Sequence, residues 1–402
     1  MLSRYRAIGT WLSRTSHVAA THYLFMKRFA AYDPPEYLNW TPDPDLLRGF
    51  RERIDADPAR RDAIRALAEA ELLAMYAGLL RNRLHDIALK RWVKSGVISK
   101  AWLGTGEEAA TIGPVHALRR EGESRDVVAP MIRNAGACHE MGMPVADLLR
   151  AYLGTADSPS RGRDGHVGDM RYGVIAPISH VGDMGPVSAG IALSFKQRGE
   201  DRVALTWIGD GSTKTAAFHE GVNFAGVQRV PAVFIIQNNQ VALGTRLTQH
   251  AAGSFAEWPR MYGVSGGVFD GNHVLDAYAA TRIAVDRARA GEGVSLLVAE
   301  TFRMGGHATH DEREARATFD AELFTGWGRR DPIGMFEAWL EGEGIARVRL
   351  EEIETGVAVE IDAAAEAALH SRETAMPLPQ SAAEGVYGDR RIEADARVIV
   401  PF

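Results

Sequence analysis

The chain has 402 residues, 46% of them apolar and 24% charged, with a formal charge of −6 and a single cysteine, Cys138. That apolar content can fill a core and excludes wholesale disorder. The weak negative charge argues against a nucleic-acid partner, and one cysteine excludes a disulfide framework or a cysteine-based zinc site. No apolar run approaches the roughly 20 residues of a membrane-spanning helix, so the expectation is a soluble intracellular protein with no membrane contact.

In chain order, no acidic residue precedes Asp33, whereas Arg4, Arg6, Arg14, Lys27 and Arg28 are basic. A basic arm on a cytoplasmic protein and an organellar transit peptide share this composition. The location is read as cytoplasmic, with the mitochondrial matrix as the alternative. Residues 34–59 are punctuated by Asp33-Pro34-Pro35 and Pro42-Asp43-Pro44, which predicts an extended arm rather than a packed element. From Arg60 to Lys94 the spacing of Leu67, Leu72, Met75, Leu79 and Leu80 is helical. Gly104-Thr105-Gly106 then breaks the chain before a second helix from Glu107 to Arg120.

Beyond this point short apolar runs alternate with helical ones. Strands are predicted at Asp126–Ala129, Arg202–Ile208, Ala232–Gln237 and Val294–Glu300, and helices at Pro144–Leu153, Ala216–Val227 and His273–Ala290, with a mostly helical remainder. This alternation predicts an α/β fold with a mostly parallel sheet sandwiched by helices. The organisation expected is an N-terminal arm (1–59), an α/β domain (60–345) and a C-terminal helical extension (346–402). The Gly- and Arg-rich segment Ser158–Arg171 reads as a loop that is either functional or an ordinary surface connection.

Two motifs carry chemistry. Ile208-Gly209-Asp210-Gly211-Ser212 follows a strand and opens a helix. Glycines let backbone N–H groups approach a phosphate, and a helix N-terminus favours an anion. The aspartate suits a divalent cation bridging to that phosphate. Alone, Gly-Asp-Gly is an ordinary turn. At the end of the next strand stands Gln237-Asn238-Asn239-Gln240-Val241, whose amide oxygens are hard donors suited to Mg²⁺ or Ca²⁺. Asp210 and Asn239 lie 29 positions apart, the span of one helix and one strand. That spacing brings both to the carboxyl edge of adjacent parallel strands, where open sheets bind ligands.

This pair resembles the thiamine diphosphate signature. From about Arg83 to Leu340 the chain is similar to the alpha subunits of the thiamine-dependent first component of 2-oxo acid dehydrogenase complexes (pyruvate, branched-chain 2-oxo acid and acetoin dehydrogenases). Gly106-Glu107-Glu108-Ala109, Pro177-Ile178-Ser179, Val181-Gly182-Asp183-Met184-Gly185-Pro186 and Phe218-His219-Glu220-Gly221 carry the resemblance, as do Asp270-Gly271-Asn272, Arg303-Met304-Gly305-Gly306-His307 and Arg329-Arg330-Asp331-Pro332-Ile333. The resemblance implies that Asp210, Asn239 and the Val241 carbonyl ligate Mg²⁺, that Gly211, Ser212 and Arg133 meet the diphosphate, and that the Val181 backbone touches the aminopyrimidine. It also implies that His307 is catalytic and serves acyl transfer to lipoamide. His166 matches a second family histidine across a gap of about two residues, and His219 orients its helix. A histidine suits the catalytic place because its pKa lies near working pH.

The implied activity is oxidative decarboxylation of a 2-oxo acid with acyl transfer to a lipoyl acyltransferase. It requires a beta subunit in an α2β2 heterotetramer, because no second pyrimidine-binding module is visible in this chain. An acetoin-cleaving homologue and a cofactor-binding but silent subunit are the alternatives. Departures from the family pattern stand at Ile132, Asp183, Lys214-Thr215-Ala216-Ala217 and Ala308. Asp183 bears on a structural K⁺ that some relatives bind near its loop. Ala308 replaces the regulatory serine of mitochondrial relatives.

Overall fold

The computed structural model describes residues 26–383. The expectation of an arm or transit peptide up to residue 25, and residues 384–402 of the C-terminal extension, lie outside the described part. The strands are β1 (Val127–Ala129), β2 (Ala204–Gly209), β3 (Ala232–Asn238), β4 (Val241–Ala242), β5 (Thr245–Arg246), β6 (Ser265–Asp270) and β7 (Ser295–Glu300). Five of them form a wholly parallel sheet in the order β1-β2-β3-β7-β6, while β4 and β5 pair as an antiparallel hairpin. Both faces of the parallel sheet are covered, which is why β2, β3 and the core of β7 are apolar on both sides.

Alternation along each strand divides the core. Leu205, Trp207, Val233, Ile235 and Leu297 face the helices Glu108–His116 and Val274–Arg289. Ala204, Ile208, Phe234, Ile236, Leu296 and Val298 face the helices Met184–Arg198 and Ala216–Gln228. The α/β fold class and the parallel sheet expected from the alternating pattern are therefore present. A third apolar cluster joins the long helix Glu69–Lys94 to Pro332–Gly342 and to the C-terminal helix Arg347–Thr374, which buries Leu350, Val357, Ile361 and Ala368.

One expectation is corrected. Residues 34–59 are not extended: they contain the helices Pro35–Leu38 and Pro44–Asp55 and the start of Pro58–Arg65. Two Asp-Pro pairs, Asp43-Pro44 and Asp57-Pro58, are helix starts. Asp43 accepts from the Asp45 and Leu46 N–H groups and Asp57 from the Arg60 N–H, with proline next in the chain. Proline fits the first helical position because its missing N–H would be unpaired there anyway. Phe50 and Ile54 are buried on the inner face of Pro44–Asp55. The run from Arg60 to Lys94 is likewise two helices, Pro58–Arg65 and Glu69–Lys94, rather than one.

Candidate functional site

Gly209 pairs with Gln237 at the carboxyl ends of β2 and β3. Asp210 and Asn239 therefore emerge side by side at the sheet edge, and the Asp210 N–H donates to the Gln237 carbonyl (3.3 Å). The chain after β3 turns into the β4–β5 hairpin, which folds onto the Gly-Asp-Gly turn. A Cβ at Gly211 would stand 2.5 Å from the Ala242 Cβ, so only glycine permits this approach. Gly182, at φ +86°, is the second such position: a Cβ there would collide with the Thr215 hydroxyl.

A cleft of about 570 Å³ opens over this edge, within the usual range for small-molecule sites. Arg133, His166, Val181, Asp210, Gly211, Ser212, Val241 and His307 line it, together with Arg303. Asn239 lies fully buried beneath. The structure thus gathers the residues singled out in the sequence around one cavity.

Glu107 is a functional candidate that sequence reasoning read only as part of a motif. Its fully buried carboxylate accepts from Gln237 Nε2 (2.5 Å) and Asn239 Nδ2 (2.8 Å). Those bonds fix the Asn239 amide with its nitrogen inward. The oxygen is left to the Val241 N–H (3.3 Å), with a lone pair to spare. The other Glu107 oxygen faces Arg133 Nε at 3.5 Å without a hydrogen bond. Arg303 is a second candidate missed as an individual residue. It is buried, donates to the Gly305 and Leu243 carbonyls, and has its pKa brought down to about 10 by burial and then by Arg133.

Asp210 Oδ2, Glu107 Oε2 and Arg133 Nε are all buried without a hydrogen-bond partner. Burial pushes the Asp210 carboxyl above its ordinary range, against the pull of the Gly211 N–H, His250 and Arg133. Unpaired buried polar atoms of this kind are costly unless a ligand completes them. A divalent cation answers the Asp210 carboxylate, and a phosphate answers the arginines. Among the described residues no group of three or more His, Cys, Asp or Glu side chains could hold a metal ion by itself, so the oxygen set would need the amide and carbonyl donors that a hard ion accepts.

His307 leaves the Gly305-Gly306 turn with its N–H on Asp311 Oδ2 (3.1 Å). Its pKa is lowered to about 4, first by burial and then by Arg133 and Arg303. The imidazole of the ligand-free chain is therefore neutral at pH 7. His166 lies at the cleft mouth, with Nδ1 2.8 Å from Asp164 Oδ1 and Nε2 3.3 Å from Ser179 Oγ. His219 does not line the cleft and bonds Tyr262 through Nδ1.

The departures also have places. Thr215 is the N-cap of Ala216–Gln228, accepting from the Phe218 N–H at 3.3 Å. The Lys214 ammonium rests 4.8 Å from the Phe255 and Trp258 ring centres, a cation–π arrangement. Asp183 begins Met184–Arg198 without a side-chain capping bond.

The arrangement offers a polar floor for a metal-bridged anion under an apolar cleft, at the end of a parallel sheet. The chain belongs to the dehydrogenase E1 component family, whose model matches residues 77–376. Members of that family depend on thiamine diphosphate. Within it, the chain is an alpha subunit of a 2-oxo acid dehydrogenase, a kind of subunit that works with a beta subunit and an acyltransferase component. It is 32% identical to the 2-oxoisovalerate dehydrogenase subunit alpha of Bacillus subtilis over 327 residues, 80% of this chain and 96% of the relative. It is 31% identical to the pyruvate dehydrogenase E1 component subunit alpha of Staphylococcus aureus over 325 residues, 79% of this chain and 82% of the relative. The Staphylococcus epidermidis subunit of that name is 30% identical over the same shares.

Proposed function

We propose that the chain, assembled with a beta subunit as α2β2, carries out Mg²⁺-dependent oxidative decarboxylation of pyruvate or a branched-chain 2-oxo acid, with acyl transfer to a lipoyl group. The observation that carries this reading is the set of buried atoms without a hydrogen-bond partner at this sheet edge, Asp210 Oδ2, Arg133 Nε and Glu107 Oε2, of which Asp210 and Arg133 belong to residues that line the cleft. Asp210, the Asn239 amide oxygen and the Val241 carbonyl would hold Mg²⁺. Gly211, Ser212 and Arg133 would take the diphosphate, the arginine through its planar fork. The Val181 backbone would face the aminopyrimidine. Bound thiamine diphosphate supplies the carbon nucleophile and electron sink for decarboxylation.

The chain's own part is to bind, orient and exclude water. Neutral His307 offers one N–H donor and one ring nitrogen that can accept a hydrogen bond, or a proton with gain of positive charge, at the cleft wall. Burial lowers its pKa most, and Arg133 and Arg303 add to it; a diphosphate on Arg133 would relieve that part of the lowering. His166, oriented by Asp164, would serve at the cleft mouth. The bacterial relatives support a cytoplasmic location over a mitochondrial one.

The deciding experiment assays the co-expressed assembly with a panel of 2-oxo acids and acetoin, following reductive acylation of lipoamide. Activity with acetoin alone would overturn the substrate assignment. In the same assay His307→Ala is expected to leave cofactor affinity near wild type while cutting lipoamide acylation on the order of 100-fold or more, within the range of positioned acid–base groups. Normal acylation in that variant would remove His307 from the chemistry.

The beta-facing surface has its own signature. Ile178 and Val181 in the loop before Met184–Arg198, Val187 on that helix, and Phe224 and Val227 on the adjoining helix Ala216–Gln228 are exposed apolar residues. Exposed apolar residues on adjoining elements are what such an interaction surface would offer a partner. The double variant Phe224→Glu/Val227→Glu should fold, because both side chains already meet solvent, but should weaken association with the beta subunit on the order of 100-fold. Sedimentation of the mixed chains reads this directly. Undiminished assembly would move the interface elsewhere.

A further inference from the structure

Beside Asp210 stands a side chain that none of the roles above uses. His250 ends the short helix Leu247–His250 after the β4–β5 hairpin. Its side chain is 11% exposed, and its Nε2 lies 3.4 Å from Asp210 Oδ2. Neither that oxygen nor either ring nitrogen of His250 has a hydrogen-bond partner.

The position is held from several directions. Ala242 is pressed against Gly211, and the Leu247 N–H donates to the Gln240 carbonyl (3.1 Å). Gln249 accepts from the Arg246 N–H (2.8 Å), and the Arg246 guanidinium donates to the Thr318 carbonyl (2.7 Å). An imidazole on a segment so held, 11% exposed and with a ring nitrogen 3.4 Å from a carboxylate oxygen that has no hydrogen bond, is not a solvated surface histidine.

Two atoms bonded to one cation at about 2.0–2.2 Å stand about 3 Å apart. The 3.4 Å between Nε2 and Oδ2 is close to that separation, and the absence of a hydrogen bond between them leaves both lone pairs available to an ion. We propose that His250 is a nitrogen ligand of the divalent cation held by Asp210, giving the site a mixed nitrogen–oxygen donor set. This inference rests on the reading of Asp210 as a metal ligand given above. It adds a consequence that an all-oxygen set would not have. Imidazole favours later divalent metals, whereas carboxylate, carbonyl and water suit Mg²⁺, so Co²⁺ should be preferred over Mg²⁺ by a margin that depends on His250.

The test uses the assembly co-expressed with its beta subunit and loaded with thiamine diphosphate. With Mn²⁺ as the probe, electron spin-echo modulation should show a directly bound ¹⁴N, replaced by ¹⁵N on histidine labelling and absent in His250→Gln. Calorimetric titration should show the preference for Co²⁺ over Mg²⁺ falling about tenfold in His250→Gln. Cofactor binding with no nitrogen coupling in the wild type would overturn this inference alone, and needs no variant to fold. An unchanged metal preference in a folded His250→Gln would also overturn it. A wild-type assembly that takes up no thiamine diphosphate with any of these ions would overturn both this inference and the function on which it rests.

Discussion

Asp210→Asn is expected to weaken Mg²⁺-dependent thiamine diphosphate binding by about 100-fold or more. The change keeps the shape of the side chain and removes the one carboxylate proposed to bind the ion directly; even outer-sphere partners of metal sites are commonly worth 10–100-fold. The free protein should respond in the opposite sense. Burial raises the Asp210 pKa above its ordinary value, ahead of the opposing Gly211 N–H, His250 and Arg133. A carboxyl with a raised folded-state pKa penalises the folded state once pH exceeds the unfolded value, and the penalty fades as pH falls. Asparagine carries no such penalty, so without ligands the variant should melt no lower than wild type at pH 7. The melting increment that cofactor and Mg²⁺ give the wild type should vanish. Calorimetry and thermal melts with and without ligand separate the two effects. Unchanged affinity would remove Asp210 from the metal site.

What the sequence made legible was set by how local the physics was. Asp210 and Asn239 were readable because a parallel strand–helix–strand unit brings its two strand ends together whatever lies elsewhere, and Gly209 indeed pairs with Gln237. Asp43-Pro44 was seen but misread, since the same dipeptide signals an extended stretch and a capped helix start. The burial of Phe50 and Ile54 decided for the helix. The helix Met184–Arg198 carries Gly185, Pro186 and Gly190, and β6 carries Gly266 and Gly267. Their local preferences are weak, and packing on the sheet forms them. Glu107 meets Gln237 across 130 positions, and no spacing rule reaches that far. The shift of His307 to about 4 follows burial and two arginines from other segments, a placement only the folded chain specifies.

Arg83→Met should cost about 3–5 kcal/mol of stability, the range for breaking a buried ion pair from one side. The guanidinium is fully buried, bonds Glu108, donates to Asp331 (3.0 Å) and lies 3.5 Å from Asp33. Methionine fills similar space but leaves three buried carboxyls, with Arg28 on Asp331 (2.5 Å) as the remaining cation. The pH dependence identifies the cause. In the wild type burial pushes Asp331 up, but Arg28 and Arg83 outweigh it and hold the pKa low. Its contribution is therefore present above the unfolded carboxyl pKa and lost as pH falls toward the folded value. Glu108 is raised by burial even with Arg83 present, and without that arginine it should rise further. The variant should thus gain more stability than the wild type as pH falls from neutrality toward the unfolded carboxyl pKa, so that the two denaturation curves converge there, whereas the wild type loses the Asp331 contribution only below that value. Arg83→Lys, keeping charge without the planar fork, should fall between them. The effect should also reach the cleft. Glu108 accepts from the Gly106 N–H (2.8 Å) and directly follows Glu107, the N-cap residue whose carboxylate meets Asn239, so at a pH where the variant is folded its cofactor affinity should still be reduced. A pH-independent loss of stability would show that lost packing, not unpaired charge, is what Arg83 prevents.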